Sequence, residues 1–225
     1  DELTRVIGSP KPTVHRALSA LRRAGLAGQG VRGHYVLGDE FLRMAFAHHE
    51  ARPEHVRVRP VLEALARRFG ETAHYAVLEG REVVHRAKAD PPTGAVRLTS
   101  TIGGRSPAHT TAVGKLLLAR RLDTPQEVEA WIGRTPLERR TPRSLVAAAA
   151  LHRELVATRE RGYGVDDQEN EAGVNCLAVP VYLASPTVPS GAVSVSAPAY
   201  RTPLGTLVGA LDEIRGLLGE LGEAR

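Results

Sequence analysis

The sequence has little cysteine and no long apolar run, and each shortage excludes a class of protein. Its single cysteine is Cys176, so no disulfide can form within the chain, which is usual in a reducing cytoplasm. No stretch approaches the roughly 20 apolar residues that span a bilayer. The residues that follow Asp1-Glu2 do not have the pattern of a signal peptide. We therefore expect a cytoplasmic protein with no membrane partner.

The length and composition suit a small domain followed by a medium-sized one. The chain has 225 residues, of which 42% are hydrophobic, so a substantial core can form. The pattern of elements described below predicts a first domain over 1–38, a linker over 39–52 and a second domain over 53–225.

The basic residues in excess are concentrated at the start of the chain. Residues 1–38 contain six basic and two acidic residues, a net charge of +4, whereas the remaining residues contain 24 basic and 23 acidic ones. A concentrated basic patch is typical of a protein that binds a polyanion such as DNA. A solvated charged surface is the alternative explanation.

Residues 1–38 have the pattern of a winged helix-turn-helix. A short apolar helix ends at Gly8, Ser9 is predicted to cap a second helix, and Gly25 is predicted to follow its end. Apolar residues at helical spacing predict that this second helix has a buried stripe of Val14, Ala17, Leu18 and Leu21. Glycines around a β-rich run at 28–38 predict a hairpin, which would be the wing. An ordinary helical hairpin is the alternative.

The exposed side of the second helix would enter the major groove, where basic and hydroxyl side chains reach base edges and phosphates. The candidate DNA-binding residues are Lys11, Thr13, His15 and Arg16 on this helix and Arg32 on the wing. A winged helix also needs a helix before Leu3, which we expect to be absent from the given residues. Paired heads would read a near-palindromic duplex, which predicts a homodimer or homotetramer.

The rest of the chain predicts a linker helix and an α+β domain. Helical periodicity predicts a helix over 39–50 and another that ends at Gly70. Strand-like runs follow at 72–79, 82–89, 95–102, 174–183 and 190–197. Further helices are predicted at 111–120, from Pro125, from Leu145 to Gly162 and over 203–221. Strand pairs separated by helices are typical of an α+β sensor-like domain.

Four separated segments carry more specific motifs. They are SPKPTVHRAL at 9–18, GHYVLG at 33–38, GGRSPAHTTAVGK at 103–115 and RGYGVDDQENEAGVNCLAVPV at 161–181. In this order they resemble the recognition helix, the wing, the effector-domain loop and the most recognisable stretch of the IclR family of bacterial transcriptional regulators. The resemblance covers nearly the whole chain. It implies an N-terminal winged helix-turn-helix joined by a linker helix to an α/β GAF-like effector-binding domain.

Three elements of the second domain could form a ligand site. A helix that opens at Thr110 would have free backbone amides at its start, which can bind an anion. Period two places Ser194 and Ser196 on one face of a strand. Cys176 begins an apolar strand near a polar loop that contains Asp166. A solvated serine face and a small core cysteine are the alternatives for these residues.

The resemblance implies that these elements line one pocket for a small-molecule effector, an organic or aromatic acid. The residues carried over by motif are Ala112, Val113, Asp166, Cys176, Ser194 and Ser196. Family members that bind small acids often have Gly-Ala where this chain has Ala112-Val113. The bulkier side chains of this chain would reshape the pocket. Leu98, Ile102 and Leu177 are expected to supply apolar walls.

Other chemistries have weaker support in the sequence. The histidines lack the spacing of metal ligands, and no phosphate-binding glycine motif follows a strand, so we expect no metal, no cofactor and no catalytic role. Two alternatives stay open: a small-molecule-binding enzyme such as a hydrolase that uses Cys176, and a metabolite sensor that acts through protein partners. The basic first domain favours a DNA-binding regulator over both.

Overall fold

The computed structural model describes residues 2–30, 34–50, 53–92 and 98–223. The chain divides into two units, Asp1–Pro53 and Glu54–Arg225. The elements of the first unit are α1 (Glu2–Ile7), α2 (Lys11–Arg23), β1 (Ala27–Gln29), β2 (Tyr35–Leu37) and α3 (Asp39–Glu50). Beginning at the boundary, the others are α4 (Pro53–Phe69), β3 (Thr72–Glu79), β4 (Glu82–Ala89), β5 (Arg105–Pro107), α5 (Ala112–Leu118), α6 (Pro125–Ile132), α7 (Ala148–Arg161), β6 (Gly164–Asp167), β7 (Val174–Val181), β8 (Gly191–Pro198), α8 (Leu204–Gly209) and α9 (Leu211–Glu223).

Helix α2 begins one residue later than the sequence pattern predicts. Its N-cap is Pro10, whose carbonyl accepts the amides of Thr13 at 2.9 Å and Val14 at 3.1 Å, and no side chain caps the helix. The prediction that Ser9 is the cap is therefore wrong. The reason is that Pro10 has an extended backbone with ψ of 143°, which places the Ser9 hydroxyl one residue too far from the free amides.

The other end of α2 has the predicted glycine. Gly25 has a φ of +70°, and its amide bonds to the Arg22 carbonyl while the amide of Leu26 bonds to that of Leu21. These two bonds satisfy carbonyls that a helix end would otherwise leave free. The predicted hairpin is also confirmed in its strands, since β1 and β2 pair antiparallel with Gly28 opposite Val36.

The apolar stripe predicted on α2 is only partly buried. Val14 is buried and Leu18 is half-buried, whereas Ala17 and Leu21 are exposed. The prediction is wrong for the last two residues because the short α1 and the small hairpin cover only part of the helix.

A six-stranded antiparallel sheet is the centre of the second unit, in the order β5-β4-β3-β8-β7-β6. Four of the predicted strands are confirmed as β3, β4, β7 and β8. The strand predicted at 95–102 is wrong over its described part, 98–102, which is a loop. The loop stays off the sheet because Lys88 Nζ donates to two of its carbonyls, those of Leu98 and Ser100, both at 2.8 Å. Strands β5 and β6 had no counterpart among the predicted strands.

The two faces of the sheet are covered by different helices. One face packs against α4, α8 and α9 through a core that includes Leu62, Tyr75 and Val195. The other face packs against α5, α6 and α7 through a core that includes Leu116, Leu151 and Ala178. Every residue of β8 is buried because this strand lies in the middle of the sheet. The second unit thus has the α+β architecture that the sequence predicts.

Helix α5 lies unusually close to β6, and glycine makes this approach possible. A Cβ built on Gly164 would lie 2.1 Å from the Ala112 carbonyl oxygen and 2.9 Å from the Leu116 Cβ. The first turn of α5 and the start of β6 are therefore held together by backbone contact.

We expect Gly164→Ala to lower the free energy of unfolding by about 1–3 kcal/mol, because the new methyl group overpacks this contact. Gly205→Ala is the matched control, since a Cβ there meets nothing within 4 Å. A helical Gly→Ala change at such an open site should be neutral or stabilising by up to about 1 kcal/mol. Urea unfolding of both variants measures the difference, and equal stabilities would contradict the close approach.

Candidate functional site

A cavity of about 280 Å³ lies over the sheet face that carries the even-numbered residues of β8. Its walls come from the sheet, from the start of α5 and from the loop at 98–104. The structure brings all six candidate effector residues to this cavity: Ala112, Val113, Asp166, Cys176, Ser194 and Ser196.

Strand register aligns the polar residues of the wall. Across β6, β7 and β8, Asp166 lies opposite Cys176, and Cys176 lies opposite Ser196. Ser194 lies opposite His74 of β3 in the neighbouring row. The two serines are 5% and 4% exposed, so the alternative of a solvated serine face is wrong.

The hydroxyls and the thiol of this wall differ in their hydrogen bonds. Cys176 Sγ donates to Ser196 Oγ at 3.0 Å. The Ser194 hydroxyl has no hydrogen-bond partner in the part of the chain that the structure describes. Burial raises the pKa of the Cys176 thiol well above its usual value, and the nearby Asp166 carboxyl raises it further. The thiol is therefore protonated at neutral pH.

Asp166 lies in β6, where the sequence pattern predicted a loop. Its Oδ1 accepts the backbone amides of Glu169 at 2.6 Å and Asn170 at 3.3 Å. Burial nevertheless raises the pKa of this carboxyl to about 7, because the hydrogen bonds and the Lys115 charge only partly offset the loss of water. Near neutral pH the group thus exists in both protonation states.

The start of α5 supplies backbone amides to the cavity wall. The N-cap Thr111 accepts the amide of Gly114 through its side chain at 3.0 Å. The amides of Ala112 and Val113 precede that bond and have no partner among the described residues. The side chains of Ala112 and Val113 are both buried. They make the cavity narrower than the smaller Gly-Ala pair would at the same positions.

A buried ion pair supports the loop beside Asp166. Lys115 is fully buried, and its Nζ bonds to Glu169 and lies 3.5 Å from the Glu154 carboxylate. The Ser144 hydroxyl donates to the Glu169 carbonyl at 2.8 Å. Because both the side chain and the backbone of Glu169 are bound, the loop that follows Asp166 has a fixed position.

Two histidines of the wall were considered in the sequence only as metal ligands. His74 Nε2 lies 2.7 Å from Ser100 Oγ, and burial lowers the pKa of this histidine to about 3. Burial also lowers the pKa of His85, whose ring centroid is 4.9 Å from that of His74. Alternation places His74 on the same face as Thr72, but its position in the cavity depends on the pairing of β3 with β8, which the local sequence does not give. In the described ranges, no three metal-ligating side chains come together.

The apolar walls differ from the expectation. Leu98 lines the cavity. Leu177 is buried in the core on the opposite face, because side chains alternate along β7 and the preceding Cys176 lines the cavity. Ile102 is 55% exposed and does not contribute to the lining. The expectation is therefore wrong for Leu177 and Ile102.

The candidate DNA-binding residues of α2 are all exposed. They are Lys11, Thr13, His15 and Arg16, whereas Val14 in the same helix is buried. Arg32, predicted on the wing, lies outside the described residues. Over the described part of the chain, none of the helices is long and apolar enough to cross a membrane.

Comparison with known proteins gives a consistent result. Residues 55–215 match the family model described as the C-terminal domain of the bacterial transcriptional regulator IclR. The HTH-type transcriptional regulator XynR of Escherichia coli is 32% identical over 203 residues, which are 80% of this chain and 71% of that protein. The transcriptional repressor IclR of the same organism is 30% identical over 205 residues, 89% of this chain and 73% of its own length.

Solved structures resemble the chain over nearly its whole length. An IclR transcriptional regulator from a Silicibacter species has a TM-score of 0.79 and 31% identity, and the match covers 99% of this chain and 86% of that one. An IclR homologue from Microbacterium hydrocarbonoxydans, crystallised with 4-hydroxybenzoate, has a TM-score of 0.80 and 26% identity. That match covers 99% of this chain and 90% of the homologue.

The raised pKa of Asp166 predicts a pH dependence of stability. The carboxyl keeps its proton in the folded state up to about pH 7 but loses it near 3.8 in the unfolded chain. Its contribution to folding is therefore complete below about pH 4 and is lost as the pH rises toward 7, by roughly 1.4 kcal/mol per pKa unit. Wild type should thus lose stability relative to Asp166→Asn over this range.

Urea unfolding between about pH 4 and pH 8 measures this trend. Asp212→Asn is the control, because it makes the same substitution at a carboxyl whose side chain is fully exposed and not buried. A constant difference between wild type and Asp166→Asn would show that the Asp166 carboxyl is ionised throughout the range.

Proposed function

Because the chain belongs to the IclR family of bacterial transcriptional regulators, we propose that it binds DNA through its first unit under the control of a small-molecule effector, an organic or aromatic acid. One observation carries the effector half: Ser194 is 5% exposed, yet its hydroxyl is unbonded within the described part of the chain and faces a cavity. The Microbacterium homologue with 4-hydroxybenzoate supports an acid as the ligand.

The DNA-binding half rests on the first unit. We propose that α1 and α2 with the β1-β2 hairpin form a winged helix-turn-helix over 1–38, that 39–52 is the linker and that 53–225 binds the effector. Lys11, Thr13, His15 and Arg16 would contact DNA from α2, and Arg32 from the wing. Such heads act in pairs, so we propose a homodimer or homotetramer on a near-palindromic operator in the cytoplasm.

Arg16→Ala should weaken binding to a duplex from the region upstream of the chain's own coding sequence by about tenfold or more, since one base or phosphate contact contributes about 1–3 kcal/mol. Wild-type affinity should fall steeply with salt, because bound phosphates release counterions. Fluorescence anisotropy at several salt concentrations measures both effects.

Arg153→Ala is the matched control for this variant. It removes the same charge from an exposed site on α7 in the second unit and should leave affinity unchanged. If Arg16→Ala binds as tightly as Arg153→Ala, α2 does not read DNA.

Within the cavity, we propose that the amides of Ala112 and Val113 hold the carboxylate and that Ser194 and Ser196 orient it. Asp166 would accept a hydrogen bond from a ligand hydroxyl. Binding is favoured over the hydrolase alternative, because a cysteine nucleophile needs its thiolate and burial keeps Cys176 protonated.

The effector would act by shifting a population. An acid that binds one arrangement of the protein better than another shifts the protein toward the first arrangement. The resulting change in the free energy of DNA binding cannot exceed the difference between the acid's binding free energies for the two arrangements, typically about 1–3 kcal/mol. The linker at 39–52 would transmit this difference to the DNA-binding heads. A partner-binding sensor would instead leave the affinity for DNA unchanged when the acid is added.

Replacing both serines by alanine should reduce the response to the effector while the fold survives, because the change removes two hydroxyls and little volume. The ligand is chosen from a panel containing acetate, benzoate, 4-hydroxybenzoate and D-gluconate as the acid that most raises the melting temperature of wild type. We expect the double substitution to weaken the binding free energy of this acid by about 1–3 kcal/mol. Calorimetric titration measures this loss.

Ser185→Ala is the control, a loop serine that does not line the cavity. DNA binding without the acid should be equal in all three proteins. A Ser194→Ala/Ser196→Ala protein that keeps full affinity for the acid would place the effector elsewhere, while the DNA-binding proposal would stand.

A further inference from the structure

The polar wall of the cavity continues beyond the serines to a pair of histidines. Ser194 lies opposite His74 across β8 and β3, and the ring of His85 on β4, which also lines the cavity, has its centroid 4.9 Å from that of His74. Neighbouring strands are about 4.8 Å apart, so the wall extends roughly 14 Å from β7, which carries Cys176, to β4. A ligand that matches this wall has polar groups along its length and not only at one end.

The histidine end has hydrogen-bonding capacity that the described protein does not use. Nδ1 of His74 and Nδ1 of His85 are buried and have no hydrogen-bond partner among the described residues. His74 as a whole is only 3% exposed. A buried polar atom without a partner is destabilising, so a ligand that supplies the missing bonds gains affinity.

The charge state of the histidines restricts what they can recognise. Burial keeps both rings neutral at physiological pH, with the pKa of His74 lowered to about 3 and that of His85 also lowered. A neutral imidazole has one donor and one acceptor. A hydroxyl group can both donate and accept, so it satisfies either tautomer, whereas a carboxylate can only accept and finds no positive charge on these rings.

The neighbouring cations are already engaged. Lys88 Nζ donates to the carbonyls of Leu98 and Ser100 and lies 3.1 Å from the Asp90 carboxylate. Arg105 is paired with Glu79 and Glu82. The histidine end therefore suits an uncharged part of a ligand, and the carboxylate of the proposed acid belongs at the other end.

The remaining lining does not provide a surface for an aromatic ring. No Phe, Tyr or Trp side chain among the described residues lines the cavity, and its apolar contacts are small aliphatic groups such as Val83, Val113 and Val174. An aromatic ligand gains most from flat apolar or stacking partners. The sheet side of this cavity instead carries hydroxyl, thiol, carboxyl and imidazole groups.

We propose that the cavity selects a polyhydroxylated aliphatic carboxylic acid, and that His74 and His85 are the specificity-determining residues that bind its hydroxyl groups. The proposal rests on the effector function proposed above and narrows its ligand class. The acid end lies toward Ser194 and the start of α5, and the hydroxylated chain extends along β3 and β4.

Calorimetric titration of the full chain with defined acids tests this assignment. D-gluconate should bind at least tenfold more tightly than hexanoate, which has the same chain length without hydroxyl groups, and more tightly than 4-hydroxybenzoate. His74→Leu and His85→Leu should each weaken gluconate binding about tenfold and leave hexanoate binding unchanged. His74→Gln, which keeps a donor and an acceptor, should retain affinity within about threefold of wild type.

Circular dichroism melting identifies any variant that fails to fold, and His85→Leu provides an independent test if His74→Leu is one of these. The proposal is overturned if hexanoate or 4-hydroxybenzoate binds more tightly than gluconate, or if the folded leucine variants bind gluconate like wild type. If the preferred acid is aromatic and the Ser194→Ala/Ser196→Ala protein loses it, the ligand class is wrong and the effector site stands. If none of the three acids binds, the proposed ligand class is wrong, and the effector site is then decided by the panel that also contains acetate and benzoate.

Discussion

The second unit depends on one constraint: strand β8 is buried on both of its faces. Its odd-numbered residues, such as Val193 and Val195, complete the core against α4, α8 and α9. Because side chains alternate along a strand, Ser194 and Ser196 lie on the opposite face. If helices covered that face here, the two serines would be polar groups in a second apolar core, which is unfavourable. The cavity lies at this position, so the polar wall and the core are two consequences of the same strand.

The cavity has a fixed shape because its edges are tied to buried polar groups. Lys115 enters the interior from α5 and bonds to Glu169, which links the helix that opens at the cavity to the loop that follows Asp166. Removing two charges from water is unfavourable, and this cost is offset here by the contacts of Lys115 Nζ with the carboxylates of both Glu169 and Glu154. On the opposite edge, Lys88 binds the loop at 98–100 through its carbonyls. Both lysines thus position backbone and are not available as counter-ions for a ligand.

The sequence predicts the elements that carry their own apolar pattern, and these include β3, β4, β7, β8 and the end of α7 at Gly162. It does not predict β5 and β6, because strands of three and four residues are too short to show periodicity and form only where β4 and β7 provide a ladder. The six candidate effector residues follow from motifs and come together in the cavity. His74 does not follow from any local pattern, because its role depends on which strand lies beside β3. The capping pattern predicts the wrong residue at Ser9 for a different reason. The backbone geometry of Pro10, and not the presence of a nearby hydroxyl, determines where α2 begins.

The unused hydrogen-bonding groups of the cavity explain how a small ligand can have a large effect on a regulator. Among the described residues, the Nδ1 atoms of His74 and His85 are buried without a hydrogen-bond partner, and the 5% exposed Ser194 makes no side-chain hydrogen bond. Polar groups that are buried without partners are destabilising, so a ligand that bonds them changes the free energy of the sheet wall itself. A ligand that bonds these groups stabilises the arrangement of β3, β4 and β8 that fits it. Since an effector can shift an equilibrium only by its difference in affinity between two arrangements, groups left unpaired in one and bonded in the other are the physical source of that difference.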